Sequence, residues 1–167
     1  HWALTALLLP GLLRAPGSRV VTVTSVAHHT GRPVDPDNPH LHGTYSPWGA
    51  YGQAKLANFH FGLGLQERFR DAGVASSSLI AHPGLSHTDL QKRTVREGGG
   101  GAQAPFWETL AERTGMRPEV GVRPQLRAAT DPGARGGEFY GPRFASFGPA
   151  VRLPVLRRWD LRSGIDR

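Results

Sequence analysis

The chain has no cysteine at all, and only two of its 20 basic residues are lysine, Lys55 and Lys92. Without cysteine there is no disulfide framework, no thiolate zinc site and no cysteine nucleophile. A reducing, cytoplasmic setting is therefore the expected compartment. Long apolar runs are missing too. The longest candidate, Leu4 to Leu13, is too short for the roughly 20 residues that a bilayer demands, so no membrane span is expected. It also lacks a basic stretch before it and a small-residue cleavage site after it, which argues against a signal peptide and for a buried helix. Methionine occurs once, at Met116, and the first residue is His1. The expectation is a piece of a longer protein.

What is present is a chain of 167 residues, 38% hydrophobic, with 22 glycines and 14 prolines and a net charge of +7. That composition supports one packed domain rich in loops, and excludes collagen-like or disordered chains. Arg14, Arg68, Arg93, Arg113 and Arg135 are scattered, and only the tail from Arg152 to Arg167 gathers positive charge. A nucleic-acid surface needs a basic stripe with aromatic residues between, so no nucleic-acid partner is expected.

Periodicity orders the first half. Arg19 to Thr24 (RVVTVT) is short and β-branched, a buried strand. Thr30 to Pro47 carries Pro33, Pro36, Pro39 and Pro47 and reads as a long surface loop. From Trp48 to Arg70, Leu56, Phe59 and Leu63 recur at the spacing of one helical face. Trp48, Phe59, Phe61 and Phe69 are read as core or helix-face residues. Val74 to Ala81 is a second strand, stopped by His82-Pro83-Gly84. Helix, strand, helix, strand is the alternation of a parallel α/β sheet. Further on, Phe106 to Thr114 reads as a short helix, Pro118 to about Thr130 as another with Pro124 inside it, and Gly137 to Tyr140 as a last strand. The expected organisation is a unit over 1–145 and an irregular basic tail over 146–167.

Tyr51 and Lys55 stand four apart on the predicted helix, so both emerge on one face. An ammonium beside a phenol favours the phenolate, and such a pair can shuttle a proton. Ser25 follows the first strand and Pro83-Gly84 follows the second, so both fall at the carboxyl ends of parallel strands, where crevices bind ligands. Thr88 lies four residues beyond Gly84. Other chemistry finds less support. His28, His29, His40 and His42 lack the helical HExxH spacing of a zinc site, so no metal is expected. Ser86-His87-Thr88-Asp89 has no G-x-S-x-G elbow before it, which argues against a serine hydrolase.

Strand-Ser25, Tyr51-x-x-x-Lys55 within AYGQAKLANFHF, and His82-Pro83-Gly84-x-x-x-Thr88 together resemble a short-chain dehydrogenase/reductase. RVVTVTSVAH and GGEFYGP resemble its retinol-dehydrogenase-like and WW-domain-oxidoreductase-like branch. The resemblance covers about residues 1–145. It implies the C-terminal, substrate-side half of a Rossmann-like, doubly wound parallel sheet whose first strands are missing. It implies an oxidoreductase that moves a hydride between NAD or NADP and a small-molecule alcohol or carbonyl. It also implies Tyr51 as general acid/base, Lys55 as the group that lowers the tyrosine's pKa and binds the nicotinamide ribose, and Ser25 as the hydrogen-bond donor to the reacting oxygen. Pro83, Gly84 and Thr88 would face the nicotinamide and pyrophosphate. The family's glycine-rich TGxxxGxG turn, its NNAG stretch and its catalytic asparagine do not occur here, so the adenosine side of the cofactor site is absent and the chain alone is expected to have little activity. A homo-oligomer remains open. The alternative is a non-catalytic remnant or interaction module, and the loops over 30–47 and 85–115 are the expected substrate lid.

Overall fold

The computed structural model describes residues 1–85 and 116–155. In chain order these form α1 (Trp2–Arg14), β1 (Arg19–Val23), a 3-10 turn (Val26–His29), α2 (Pro47–Asp71) and β2 (Ser77–Ala81). After residue 115 come α3 (Pro118–Gly121), α4 (Arg123–Thr130), β3 (Phe139–Pro142) and β4 (Ala150–Leu153). The four strands make one sheet in the order β1-β2-β3-β4. β1, β2 and β3 are parallel, with Val23 opposite Ala81 and Ala81 opposite Tyr140, and β4 returns antiparallel on β3.

Alternation along β2 gives the sheet two apolar faces. Leu79 and Ala81 join Ala128, Ala134, Tyr140 and Val21 on the α4 side. Ile80 points the other way, into Phe59, Leu63 and Phe139 on the α2 side. With a helix on each face, the expected doubly wound, mostly parallel α/β arrangement is what the chain forms. α2 is pressed onto β2 at Gly62, where an added Cβ would lie 2.5 Å from Ile80 Cγ1. Ser78 locks this contact by donating from its hydroxyl to the Gly62 carbonyl at 2.8 Å.

Several expectations are corrected. Leu4 to Leu13 is helical but not buried: no residue of α1 is buried, and Leu7 is 81% exposed. Apolar composition alone does not supply a surface to pack against. The helix expected from Pro118 to Thr130 is two helices, because Pro124 cannot donate within a helix and instead opens α4 in its first turn. The tail expected to be irregular from residue 146 contains β4, which forms by pairing with β3. The second strand begins at Ser77 rather than Val74, and the last described parallel strand runs Phe139–Pro142 rather than Gly137 to Tyr140. Phe59 and Phe69 are buried as expected, whereas Trp48 is 38% exposed. The helix expected over Phe106 to Thr114 lies outside the described residues, as does the expected lid segment beyond Leu85. Among the described residues, no helix is long and apolar enough to cross a membrane.

Candidate functional site

β1 and β2 end side by side, with the Thr24 N–H donating to the Ala81 carbonyl at 2.8 Å. The residues that follow each strand therefore leave the sheet at the same rim. On one side Thr24 leads into Ser25, and on the other His82 leads into Pro83 and Gly84.

Ser25 has extended backbone and caps the 3-10 turn, its hydroxyl oxygen accepting from the Ala27 N–H at 3.3 Å. That contact uses a lone pair and leaves the hydroxyl proton available to another acceptor. The Ser25 carbonyl accepts from the His28 N–H at 3.0 Å and from the ring Nδ1 of His28 at 2.5 Å.

α2 delivers Tyr51 and Lys55 from above this turn. Ser46 starts the helix as its N-cap, accepting from the Gly49 N–H at 3.2 Å, with Pro47 in the first turn. Three contacts then fix the helix against the strand end. Thr24 Oγ1 donates to the Lys55 carbonyl at 2.7 Å, and Asn58 Nδ2 donates to the Val23 carbonyl at 3.1 Å. Gly31 and Gly52 meet backbone to backbone: a Cβ on Gly31 would stand 2.3 Å from the Gly52 carbonyl oxygen. That approach brings the 3-10 turn under the helix turn that carries Tyr51. Both Tyr51 and Lys55 are half-buried. Lys55 Nζ stands 5.5 Å from the centre of the Tyr51 ring, within cation–π range. Burial lowers the Lys55 pKa from its ordinary value, and among the described residues no carboxylate pairs with it. Trp48 meets the same ring edge-on, with centroids 6.0 Å apart.

At the β2 end, Gly84 takes φ +73, and a Cβ there would lie 2.5 Å from the Ser146 carbonyl oxygen and 2.7 Å from Pro142 Cγ. Only glycine fits. The turn is held further by the Gly84 N–H donating to His82 Nδ1 at 3.2 Å. Thr88 lies outside the described residues. The structure thus brings Ser25, Tyr51 and Lys55 together through the Thr24 and Asn58 contacts, with Pro83 and Gly84 at the neighbouring strand end. A cleft of about 350 Å³ lies elsewhere, between the C-terminal half of α2 and β3-β4, and none of these residues lines it.

Two residues carry more of the site than their sequence positions signalled. His28, grouped in the sequence with His29, His40 and His42, is buried, its ring stacked on Phe59 at 4.6 Å. His82 is 2% exposed, and burial pushes its pKa down to about 4, helped by neighbouring His28 and His29. For His82 the available signal was its place directly behind a buried strand.

No family model matches the chain. It is similar to mouse polyprenol dehydrogenase, 43% identical over 96 residues that cover 55% of this chain and 28% of that protein. Mouse retinol dehydrogenase 11 is 38% identical over 92 residues, covering 55% of this chain and again 28% of the relative. The chain thus spans little more than a quarter of either relative's length. Among solved structures, an uncharacterized protein from Mycobacterium paratuberculosis superposes with a TM-score of 0.68 at 37% identity, over 95% of this chain and 48% of that one. The relatives of this chain are short-chain dehydrogenases/reductases, and over the matched segment it resembles their retinol-dehydrogenase-like branch.

Proposed function

We propose that this chain carries the substrate-side half of an NAD- or NADP-dependent oxidoreductase that interconverts an alcohol and a carbonyl. The observation that carries the reading is the Tyr51–Lys55 pair, 5.5 Å from ammonium to ring centre, on a helix pinned to the strand end that presents Ser25. The residues present fit the nicotinamide end of such a cofactor. Lys55 offers a half-buried ammonium with no carboxylate partner among the described residues, which suits a ribose diol, and the Pro83-Gly84 turn stands at the neighbouring strand end. When bound, the cofactor supplies or accepts the hydride. In the reductive direction Ser25 donates its free hydroxyl proton as a hydrogen bond to the carbonyl oxygen and orients it. Tyr51 gives that oxygen its proton, and Lys55 stabilises the phenolate that remains. In the oxidative direction the same groups act in reverse.

Retinol and polyprenol, the alcohols in the relatives' names, are the first substrates to try. The test is steady-state turnover with each nucleotide, in a polypeptide that joins this chain to an amino-terminal glycine-rich nucleotide turn. Tyr51→Phe is expected to lower kcat at least ~10²-fold, the size of a lost general acid/base contribution. Turnover near that of the unsubstituted protein overturns the mechanism.

One observation favours a second reading, an interaction module without catalysis. α1 holds Trp2, Leu4, Leu7 and Leu8 on its surface, each more than half exposed, and contiguous exposed apolar surface marks binding sites. Titration calorimetry with NADH and NADPH separates the two. Binding by the extended polypeptide supports the oxidoreductase, and binding by neither form supports the module.

A further inference from the structure

Two buried histidines sit behind the rim, one under each turn. His28 stacks on Phe59 with an 8° interplanar angle and meets Phe139 edge-on, centroids 5.6 Å apart. His82 packs against the same Phe139 at 5.3 Å. Each ring also touches backbone. His28 Nδ1 lies 2.5 Å from the Ser25 carbonyl oxygen, and a carbonyl only accepts, so Nδ1 carries the proton. His82 Nδ1 receives the Gly84 N–H at 3.2 Å, so that nitrogen is bare and the neutral ring keeps its proton on Nε2.

From this geometry we infer that His28 and His82 are positioning residues of the proposed site. His28 in its Nδ1–H tautomer holds the Ser25 turn, and His82 in the opposite tautomer holds the Pro83-Gly84 turn. Phe139 ties the two rings together, so the side that orients the substrate oxygen and the side that faces the cofactor are set by one aromatic cluster. Burial supports the assignment, because it is the largest influence on both rings and favours their neutral forms. A protonated His82 would present an N–H to the Gly84 N–H and lose its acceptor role. The functional part of this inference rests on the proposed oxidoreductase. The tautomers do not.

The first experiment is a long-range 1H–15N spectrum of the 15N-labelled chain at pH 7. His28 is expected protonated at Nδ1 and His82 at Nε2, and the same tautomer at both positions overturns the inference. The second compares His28→Phe and His82→Phe, which keep a ring without its nitrogens, with His28→Asn and His82→Asn, whose carboxamide can donate or accept near the lost Nδ1. Each Phe variant should shift the amide resonance of Val26, whose peptide group holds the Ser25 carbonyl, or of Gly84, and lower kcat about tenfold, the worth of one hydrogen bond. KM should stay within about threefold, and the Asn variants should recover most of the loss. Phe variants with unmoved amides and undiminished kcat, or Asn variants no better than Phe, count against the assignment. If Tyr51→Phe keeps its turnover, the oxidoreductase reading falls, and the tautomers and amide shifts still decide this one.

Discussion

His82 makes the stability of this fold depend on pH in a window where carboxylates contribute little. Its pKa falls from an ordinary 6.5 to about 4 on burial. The unfolded chain therefore takes up the proton first as pH drops, while the native chain refuses it. The corresponding stability is intact above about pH 6.5 and is lost as pH falls toward 4. At about 1.36 kcal/mol per pH unit, the loss is about 2 kcal/mol between pH 7 and pH 5, and about 3 kcal/mol once both states are protonated. Against the roughly 5–15 kcal/mol of a typical domain this is a large share. Burial lowers the pKa of His28 and His60 as well, which adds in the same direction. Asp131 acts elsewhere: the Gly133 N–H and the Arg127 guanidinium hold it below its ordinary 3.8, so its stabilisation fades only at more acidic pH. Urea denaturation at pH 7 and pH 5 is the assay, run on the unsubstituted chain and on His82→Asn. The variant should show a pH-dependent loss smaller by about 2 kcal/mol. Equal losses in the two proteins would refute the reasoning.

Other substitutions probe the packing that builds the rim. Gly62→Ala puts a methyl group 2.5 Å from Ile80 Cγ1 and should cost about 1–3 kcal/mol in chemical denaturation, by overpacking α2 against β2. Thr24→Val keeps the shape of a residue that is 1% exposed but deletes its 2.7 Å bond to the Lys55 carbonyl. A loss of about 1 kcal/mol is expected from the same measurement. Leu79→Ala, in the core at 0% exposure, should cost about 2–5 kcal/mol. Leu7→Ser, at 81% exposure on α1, should stay within about 0.5 kcal/mol of the unsubstituted chain.

The parts of the fold that were legible in the sequence are those specified locally. β-branching wrote β1, the recurrence of Leu56, Phe59 and Leu63 wrote α2, and Pro47 and Ala72 bracket its observed ends within a residue or two. The one-face spacing of Tyr51 and Lys55 follows from helical periodicity alone. What escaped depends on partners distant in sequence. β4 is four residues between prolines and exists because β3 lies beside it. His28 is buried by Phe59 and Phe139, neither of which its neighbours in the chain announce. α1 has the composition of a core helix, and burial is decided by what packs against a helix rather than by its own residues. The contact between the Ser25 turn and the Tyr51 turn requires Gly31 and Gly52 to meet, and neither glycine stands out among the 22 in the chain.

The two margins of the sheet are chemically unlike. β4 is short, flanked by Pro149 and Pro154, and carries exposed Arg152 in an ion pair with Glu138 at 2.7 Å. Brevity, proline and charge are the devices by which natural edges discourage further pairing. β1 carries no proline within Arg19–Val23, and its one charged residue is Arg19, whose guanidinium donates to the Ala128 carbonyl at 3.1 Å. Its second edge has no strand partner among the described residues. Among the described residues, the open margin beside Val20–Val23 thus lacks the proline that brackets the margin at β4, and its charge is confined to one end.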